Sequence, residues 1–489
     1  MCDILICSLP VSALNYAPAA PALLKACVET AGFTAKTIDL SQSFYVNISN
    51  RNFDQYSEDS KFLLPGNKYD AQSESKVTSW VIQSTDYIKN INPKFVAFSI
   101  FSYFMQRSAY LLAKKLRKDA PHIKIILGGF GLTQPATSLK NLDTKFKDSE
   151  LIIPFNKFMI KHNLCDHDII GEGEDKLVSL LQQSISNDYS LDDLYNVPIS
   201  NFDDYNLKDY IYVDKMLLPI TGSKGCVRQC TFCDIPTKFG KFRYRAGHHI
   251  AKEILYLKDK YNITSFAFTD SLINGSLKAL TELLTELAKY NNSVDEKNKI
   301  KWSGQYISRP KGQMPEYLYE LIKQSGGEGL TIGLESGSND VLLAMNKKVK
   351  IEDVDYEMEL FEKYNISTVL LFIIGFYNET EKDFMETIDT MFRYQKYVAS
   401  GTIIRMELGH PLGITAETSL YDSSLSLGIT LHPTDPHLWE NEKNPTLTFK
   451  ERIRRRLVAQ IVCDELGIPT GMTAYNLKHI SNIVDVQFK

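Results

Sequence analysis

The chain has 489 residues and a formal net charge of −4, with 55 Lys and Arg against 59 Asp and Glu. Because there is no general basic surplus, an extended nucleic-acid surface is not expected. The 44% hydrophobic and 23% charged residues are typical of folded globular domains and exclude a disordered chain. The length predicts two or three domains.

Membrane and secretion signals are missing from the sequence pattern. No run of about 18 uncharged apolar residues occurs, so no transmembrane helix is predicted. Residues 1–7 lack a basic stretch before their apolar residues and are interpreted as a strand, not a signal peptide. Eight cysteines are too sparse for a disulfide scaffold, and three of them fall close together. This pattern indicates metal binding in a reducing cytoplasm, without membrane association.

The first 185 residues alternate short apolar strands with helical segments. Strands are predicted near residues 4–9, 36–40, 95–100, 123–127 and 168–170. Such alternation predicts an α/β domain with a doubly wound, Rossmann-like parallel sheet over residues 1–185. The polar stretch 41–83 has weak periodicity and is interpreted as an irregular insertion.

The rest of the chain predicts a second α/β domain. Residues 186–215, rich in Asp, Asn and Tyr, are interpreted as a linker. Six strand–helix pairs follow within residues 216–435, with strands near 216–221, 265–269, 301–305, 330–334, 368–374 and 402–408. Six pairs are too few for a closed eight-stranded barrel, so a partial (βα)6 barrel is predicted. Residues 436–489 are expected to form a small helical C-terminal region.

Three cysteines lie on one loop just after the first predicted barrel strand: Cys226, Cys230 and Cys233. Each thiolate could bind one iron of a 4Fe-4S cluster, which leaves one iron open. Zinc is the alternative, but structural zinc takes four ligands and no fourth Cys or His lies at local spacing. The nearest histidines, His248 and His249, are better explained as a solvated helix start.

Three segments carry a family resemblance. The motif Cys226-x-x-x-Cys230-x-Phe232-Cys233 resembles the signature of the radical S-adenosylmethionine (SAM) superfamily. The segment 333–338, Gly-Leu-Glu-Ser-Gly-Ser, with Met-Asn-Lys at 345–347, looks like the fourth-strand region of the subgroup with cobalamin-binding domains. Residues 372–380 resemble its fifth-strand turn, with Tyr-Asn at 377–378 where Pro-Gly is usual. Together the segments cover most of residues 216–410.

The resemblance implies a mechanism and a set of cofactor contacts. The open iron would chelate SAM, and an electron from an external donor of the flavodoxin or ferredoxin type would release a 5′-deoxyadenosyl radical. The strand ends should face SAM; the candidate residues are Phe232, Asp270, Ser271, Ser303, Glu335, Ser336 and Gly375. Asp270 has a helix N-cap as its alternative role, which Ser276 could equally fill. Whether Arg405 points inward or outward stays open.

Four features of the first domain look like the cobalamin-binding domain of this subgroup. All of them follow predicted strands, where a doubly wound sheet has its ligand crevice: Pro18, Ser99 with Ser102, Gly128 with Gly129, and Glu172 with Gly173. Small residues there would let a corrin ring approach the backbone. No Asp-x-His-x-x-Gly motif offers a histidine below cobalt. A domain that has kept the fold and lost the cofactor stays an alternative.

Two other groups of residues allow two interpretations each. Cys2, Cys7, Cys27 and Cys165 could form a second cluster, as in methylthiotransferases, but their scatter favours buried structural thiols. The basic run 452–456 is interpreted as a solvated helix face with a Glu451–Arg455 pair, and substrate contact is the alternative.

The leading hypothesis is a cobalamin-dependent radical SAM methyltransferase that acts on an unactivated carbon. The alternatives are a cobalamin-independent radical SAM enzyme, for rearrangement, oxidation or methylthiolation, and a non-catalytic iron–sulfur or zinc protein. The substrate, a small molecule or a peptide, is not identified by the sequence.

Overall fold

The computed structural model describes residues 2–12, 14–65, 70–142, 146–184, 197–211, 215–433 and 435–470. It divides into two compact units, Met1–Pro219 and Ile220–Lys489. Part of the predicted linker and the C-terminal residues 471–489 lie outside the described residues. No helix in the described ranges is both long and apolar enough to cross a membrane.

The first unit is built on a five-stranded parallel sheet with the order β2-β1-β3-β4-β5. The strands are β1 Ile4–Ser8, β2 Ala35–Asp39, β3 Phe95–Ser99, β4 Lys124–Gly128 and β5 His167–Ile169. The helices are α1 Ala19–Thr30, α2 Leu40–Asn47, α3 Phe53–Asp59, α4 Ala71–Ile91, α5 Gln106–Asp119, α6 Asp148–Leu151, α7 Phe155–Lys161 and α8 Glu174–Ser184.

Two hydrophobic clusters cover the two faces of this sheet. Ile4 and Ile6 belong to the cluster formed with α1 and α8, whereas Leu5 and Cys7 belong to the cluster formed with α4 and α5. Because side chains alternate along a strand, a continuously apolar β1 supplies both faces. The prediction of a doubly wound α/β sheet is confirmed.

The interpretation of residues 41–83 as an irregular insertion was wrong. Three helices, α2, α3 and α4, lie here, and each begins at an acidic or amide N-cap: Asp39, Asn52 and Asp70. These side chains accept backbone N–H bonds from the first helical turn. The buried face of α4 includes Ser84 and Thr85, so the apolar periodicity of the sequence was diluted.

The described part of the predicted linker, residues 197–211, packs against the first unit. The Asp204 carboxylate accepts hydrogen bonds from Lys25 Nζ at 2.5 Å and Thr37 N at 2.8 Å. The Tyr210 hydroxyl donates to Asp39 at 3.0 Å. This segment therefore belongs to the compact first unit, which extends to Pro219.

The second unit contains two parallel sheets, in the orders β10-β9-β6 and β11-β12-β13-β14. Its strands are β6 Leu217–Ile220, β7 Ser223–Lys224, β8 Arg243–Tyr244, β9 Ser265–Phe268, β10 Lys301–Ser303, β11 Gln305–Tyr306, β12 Leu330–Glu335, β13 Thr368–Phe372, β14 Ile403–Glu407, β15 Ile429–Leu431 and β16 Trp439–Asn441. Its helices are α9 Ile235–Phe239, α10 Gly247–Tyr261, α11 Leu277–Asn291, α12 Tyr317–Gln324, α13 Asn339–Ala344, α14 Ile351–Lys363, α15 Glu381–Ala399, α16 Ser419–Asp422 and α17 Phe449–Glu465.

The third barrel strand is split where Gly304 separates β10 from β11. A Cβ at Gly304 would come within 2.9 Å of Phe268 and Ile273, so a side chain would not fit there. The two sheets join through this split strand, in agreement with the predicted partial barrel. β15 and β16 form a separate antiparallel pair, and α17 follows them.

Candidate cofactor sites

The three cysteines of the barrel lie on an irregular loop between β7 and α9. Their thiols are free and partly buried. The backbone N–H of Arg228 donates to Cys226 Sγ at 3.3 Å, and Cys233 N donates to the Cys230 carbonyl at 3.1 Å. These local bonds turn the loop on itself over residues 226–233.

The three thiols interact electrostatically. Burial raises the pKa of Cys233 to about 11, and the neighbouring Cys230 and Cys226 act in the same direction. Burial also raises the pKa of Cys230, to which Cys226 contributes and which Lys347 opposes. Partly buried thiols on one loop, two of them with raised pKa values, are a donor set that a cationic centre would stabilise. The residues present therefore fit an iron–sulfur cluster.

A single metal ion has different requirements. In the described ranges, no group of three or more His, Cys, Asp or Glu side chains could hold one metal ion. In a 4Fe-4S cluster each thiolate binds a different iron, so the ligands stand farther apart than those of a single ion. His248 and His249, at the start of α10, are exposed, as expected for a solvated helix start.

The segment between α13 and α14 clamps the cysteine loop. Thr231 N donates to the Met345 carbonyl at 3.0 Å, and Asn346 Nδ2 donates to the Gln229 carbonyl at 2.7 Å. Residues 345–347 were noted in the sequence only as part of a resemblance. The structure shows that they hold the loop in place.

A buried ion pair lies beside the loop. Lys347 Nζ is 3.1 Å from Glu335 Oε1, and both side chains are only about one-tenth exposed. Burial opposes the charge on Lys347, but Glu335 and Cys230 outweigh it and raise the lysine pKa. The ammonium also lies 6.0 Å from the ring centroid of Phe232. Glu335 has a φ of 71°, a left-handed conformation that is strained for a non-glycine residue and occurs mostly at functional sites.

Asp270, one of the predicted SAM contacts, is bonded to the chain just before the cysteine loop. Its carboxylate accepts hydrogen bonds from Gly222 N at 2.8 Å and Ser223 Oγ at 2.5 Å. Burial raises the pKa of Asp270 to about 7. The alternative N-cap role is filled by Ser276, which accepts from Ala279 N at the start of α11. Asp270 thus anchors the approach to the cysteine loop.

The other predicted SAM residues differ in their surroundings. The Ser336 hydroxyl is buried, 3.2 Å from Thr387 Oγ1. Gly375 N donates to the Glu379 carboxylate at 3.1 Å. Ser271 and Ser303 are partly exposed at the carboxyl ends of β9 and β10. SAM binding by these residues stays a prediction.

Phe232, the aromatic residue of the cysteine motif, packs on the hydrophobic cluster of the second unit. Its ring contacts Phe376 edge-on, with 6.4 Å between ring centroids. Arg405, whose direction was left open, has a half-exposed side chain that pairs with Glu407 at 2.8 Å.

In the first unit, the predicted cobalamin residues lie at the carboxyl ends of the strands. Ser8, Ser99, Gly128 and Ile169 are register partners across β1, β3, β4 and β5. The buried Ser8 hydroxyl has no hydrogen-bond partner among the described residues. The order reverses between β1 and β3, the crevice where ligands of doubly wound sheets bind.

The surface above these strand ends is open and apolar. A Cβ added at Gly128 would meet nothing within 4 Å, whereas one at Gly129, with φ of 109°, would lie 2.4 Å from the Ile100 carbonyl oxygen. Phe101 is 69% exposed and packs only its edge against Phe130. An exposed aromatic beside an open glycine fits the apolar face of a large ring.

The remaining cobalamin candidates follow the same edge. Pro18 precedes α1, and Ser102 precedes a short helical turn without capping it through its side chain. Glu172 and Gly173 follow β5, and a Cβ on Gly173 would contact Leu24 at 3.3 Å. Their binding role stays a prediction.

The four N-terminal cysteines are all buried free thiols, in agreement with structural packing: Cys2, Cys7, Cys27 and Cys165.

The interpretation of the basic run as a solvated face was wrong for three of its four arginines. Arg452, Arg455 and Arg456 are less than 5% exposed, and Arg454 is the exposed one. The expected Glu451–Arg455 pair is present at 2.9 Å. The burial arises because distant loop carbonyls accept from these guanidinium groups.

Comparison with known proteins identifies the second unit. The family model described as "Radical SAM superfamily" matches residues 220–391, which include the cysteine loop and the strands from β9 to β13. Residues 220–391 of this chain therefore form a radical SAM domain. The prediction made from the cysteine motif is confirmed.

Two curated proteins are similar to part of this chain. Bacteriochlorophyllide d C-12(1)-methyltransferase of Chlorobaculum tepidum is 33% identical over 177 residues, 35% of this chain and 37% of that protein. The ribosomal protein uS12 methylthiotransferase RimO of Clostridioides difficile is 27% identical over 235 residues, 45% and 50% of the two chains. The chain therefore spans half or less of the length of these relatives.

A solved structure extends the likeness to both units. The radical SAM methyltransferase TsrM of Kitasatospora setae, solved with cobalamin and a 4Fe-4S cluster bound, has a TM-score of 0.58 at 14% identity. The match covers 93% of this chain and 85% of TsrM. At this identity the likeness shows a shared fold: a Rossmann-like domain followed by a radical SAM barrel.

Proposed function

We propose that this radical SAM protein is a cobalamin-dependent methyltransferase that acts on an unactivated carbon. The observation that carries the proposal is the set of three free thiols on the loop between β7 and α9, which the segment 345–347 clamps. The fold shared with TsrM and the identity with the bacteriochlorophyllide methyltransferase support the methyl-transfer chemistry. Electrons would come from a flavodoxin- or ferredoxin-type donor.

When bound, the cluster supplies the electron that cleaves SAM to a 5′-deoxyadenosyl radical, and cobalamin supplies the methyl carrier. The chain's own residues hold and shield these groups. Cys226, Cys230 and Cys233 would ligate three irons, and Phe232 packs apolar surface beside them. The Lys347 ammonium offsets negative charge next to Cys230.

The cluster assignment is tested with Cys230→Ser. Anaerobically reconstituted wild-type protein is expected to bind close to four irons and four sulfides per chain and to form 5′-deoxyadenosine from SAM under reduction. The variant should lose the cluster signal in electron paramagnetic resonance and the cleavage activity. Cys165→Ala, which removes a buried thiol of the first unit, is the matched control and should keep both. Cleavage at wild-type rate by Cys230→Ser would contradict the assignment.

The cobalamin assignment is tested by filling the open space above Gly128. Gly128→Leu adds a side chain where a Cβ meets no atom within 4 Å, so folding should be unaffected. Protein reconstituted with hydroxocobalamin should show corrinoid absorbance after gel filtration, and the variant should show little. Lys124→Leu, at the exposed amino end of the same strand, is the control and should retain the corrinoid. Equal retention by Gly128→Leu would count against binding at this edge.

A further inference from the structure

Helix α17 buries three arginines, and among the described residues only one of them forms an ion pair with a carboxylate. Arg452, Arg455 and Arg456 are each less than 5% exposed. Arg455 Nη1 forms an ion pair with the buried Glu379 at 2.9 Å. Neither of the other two arginines forms an ion pair with a carboxylate of the described residues. An unpaired buried charge is strongly unfavourable, so each needs its own explanation.

Arg452 is explained by structure. Its Nη atoms donate to the carbonyls of Trp439 at 3.2 Å, Leu447 at 3.0 Å and His437 at 2.7 Å. The guanidinium also lies 3.6 Å from the Trp439 ring centroid, a stacked cation–π contact. Arg452 therefore fixes the segment from His437 to Leu447 against α17.

The hydrogen bonds of Arg456 do not account for its whole guanidinium group. Its Nε donates to the Gly409 carbonyl at 3.0 Å and its Nη1 to Gln460 at 3.2 Å. Its Nη2 donates to no group of the described residues. Burial lowers the pKa of Arg456, against the weaker opposing effects of Cys463, Asp464 and Glu407. A guanidinium with one free edge is preorganised for an oxyanion.

His410 lies between Gly409 and Pro411, whose carbonyls accept hydrogen bonds from Arg456 and His437, respectively. Partial burial, and then the charges of His437 and Arg456, lower the pKa of His410. His437 Nδ1 donates to the Pro411 carbonyl at 2.8 Å, which leaves Nε2 of the ring for other contacts. The positive charge of Arg456 therefore favours the neutral form of the His410 imidazole, whose ring can donate or accept a hydrogen bond.

The position of this cluster in the barrel matters. Gly409 follows β14, and a Cβ on it would lie 3.2 Å from the carbonyl oxygen of Phe372 at the end of β13. The cluster therefore lies at the carboxyl ends of two adjacent barrel strands. This is the end of a β/α barrel at which substrates bind.

We propose that Arg456, His410 and His437 form a binding site for an oxyanion group of the substrate, a carboxylate or a phosphate. That the ligand is the substrate rests on the proposed function; anion binding itself does not. The Arg456 guanidinium would bind two oxygens through Nη2 and the second hydrogen of Nη1, because its single Nε hydrogen is donated to Gly409. A bound anion would favour the protonated imidazoles, which would donate N–H hydrogen bonds to it.

The test is an anion titration of the purified full-length protein. Inorganic phosphate and acetate are added separately, and the His410 C–H resonance is followed by nuclear magnetic resonance of protein with isotope-labelled histidine. A saturable shift with either anion supports the site, and the tighter anion names the substrate's group. The absence of a saturable shift with both anions would overturn the proposal.

Matched variants locate the response. Arg456→Gln should weaken anion binding roughly tenfold or more, as expected for loss of a charge-assisted pair. Arg454→Gln removes the same charge from the exposed face of α17 and should bind like the wild type. His437→Gln provides a second variant in case Arg456→Gln unfolds, and it should weaken binding several-fold. Wild-type affinity in Arg456→Gln or His437→Gln would refute the assignment.

The readout separates this inference from the proposed function. Anion binding needs no SAM cleavage, so a protein that binds phosphate but forms no 5′-deoxyadenosine would refute the enzyme proposal alone. A protein that cleaves SAM but shows no saturable anion response would refute the oxyanion site alone.

Discussion

Gly375 and Gly401 have almost the same backbone conformation in different surroundings. Their φ angles are 81° and 79°. A Cβ on Gly375 would lie 2.8 to 3.1 Å from carbon atoms of the Arg452 side chain, whereas one on Gly401 would meet nothing within 4 Å. Alanine substitutions at the two positions therefore cause the same backbone strain, but only the one at Gly375 also crowds a neighbouring side chain.

We expect Gly401→Ala to lower the free energy of unfolding by about 1 kcal/mol, the strain of a left-handed alanine. Gly375→Ala should lower it by roughly 1–3 kcal/mol more, because the packed Arg452 side chain has to move. Urea unfolding of the two variants measures the difference. Equal losses of unfolding free energy in the two variants would mean that the Arg452 side chain moves aside at no cost.

At the scale of elements, Glu357 joins α14 to α12 and β11. Its Oε1 accepts hydrogen bonds from the Tyr306 hydroxyl at 2.6 Å and from the Tyr319 hydroxyl at 2.8 Å. Its Oε2 has no hydrogen-bond partner among the described residues. Burial raises the pKa of Glu357 from its ordinary value of 4.5 to about 7. The folded protein therefore binds a proton here that the unfolded chain has released.

This shift predicts a pH dependence of stability. Because the folded pKa is raised, the contribution of Glu357 is fully present below about pH 4.5 and is lost as the pH rises to about 7. The change amounts to roughly 3 kcal/mol. Glu357→Gln should remove this loss, so that the variant gains stability relative to wild type between pH 5 and about 7. Urea unfolding across this range measures it. The exposed Glu362→Gln on the same helix should follow the wild type, and an unchanged slope in Glu357→Gln would contradict the prediction.

Sequence patterns predicted the elements whose burial is local and apolar. The continuous apolar run of β1 predicted its strand to within a residue at the carboxyl end. Helix α4 was missed because its buried face mixes serine and threonine with Val77 and Trp80. The burial of Arg456 could not be predicted, because its carbonyl acceptor Gly409 lies 47 residues away in the sequence. The acceptors of Arg452 lie only 5 to 15 residues before it, but in loop and strand segments whose fold against the helix the sequence does not show.

The candidate sites also contain residues that the sequence predicted and contacts that it did not. The thiols of Cys226, Cys230 and Cys233 were found from spacing alone. Lys347 was within a noted motif, but its pairing with Glu335 across a chain reversal was not visible in the sequence. Phe101 was missed because an apolar residue after a strand is usually buried.

At the scale of the whole molecule, each unit supplies its own candidate cofactor residues. The strand-end row of the first unit runs through Ser99 and Gly128, and the cysteine loop with its clamp lies in the second unit. The candidate cobalamin residues all belong to the first unit, and the candidate cluster ligands all belong to the second.

We therefore expect the two cofactors to load independently. Cys230→Ser should lose iron and sulfide and keep corrinoid absorbance, and Gly128→Leu should do the reverse. Metal analysis and absorbance spectra of each variant after reconstitution with both cofactors measure this. Joint loss of iron and corrinoid in either variant, with the fold intact by circular dichroism, would show that loading is coupled.

Two residues that α17 contacts are synthesised well before the helix itself. Glu379 precedes its partner Arg455 by 76 residues, and the Gly409 carbonyl precedes Arg456 by 47. A ribosome therefore releases the β13 and β14 strand ends well before the helix that covers them. Through that interval Glu379 stays in contact with water, because the guanidinium with which it is buried in the finished fold has not yet been synthesised.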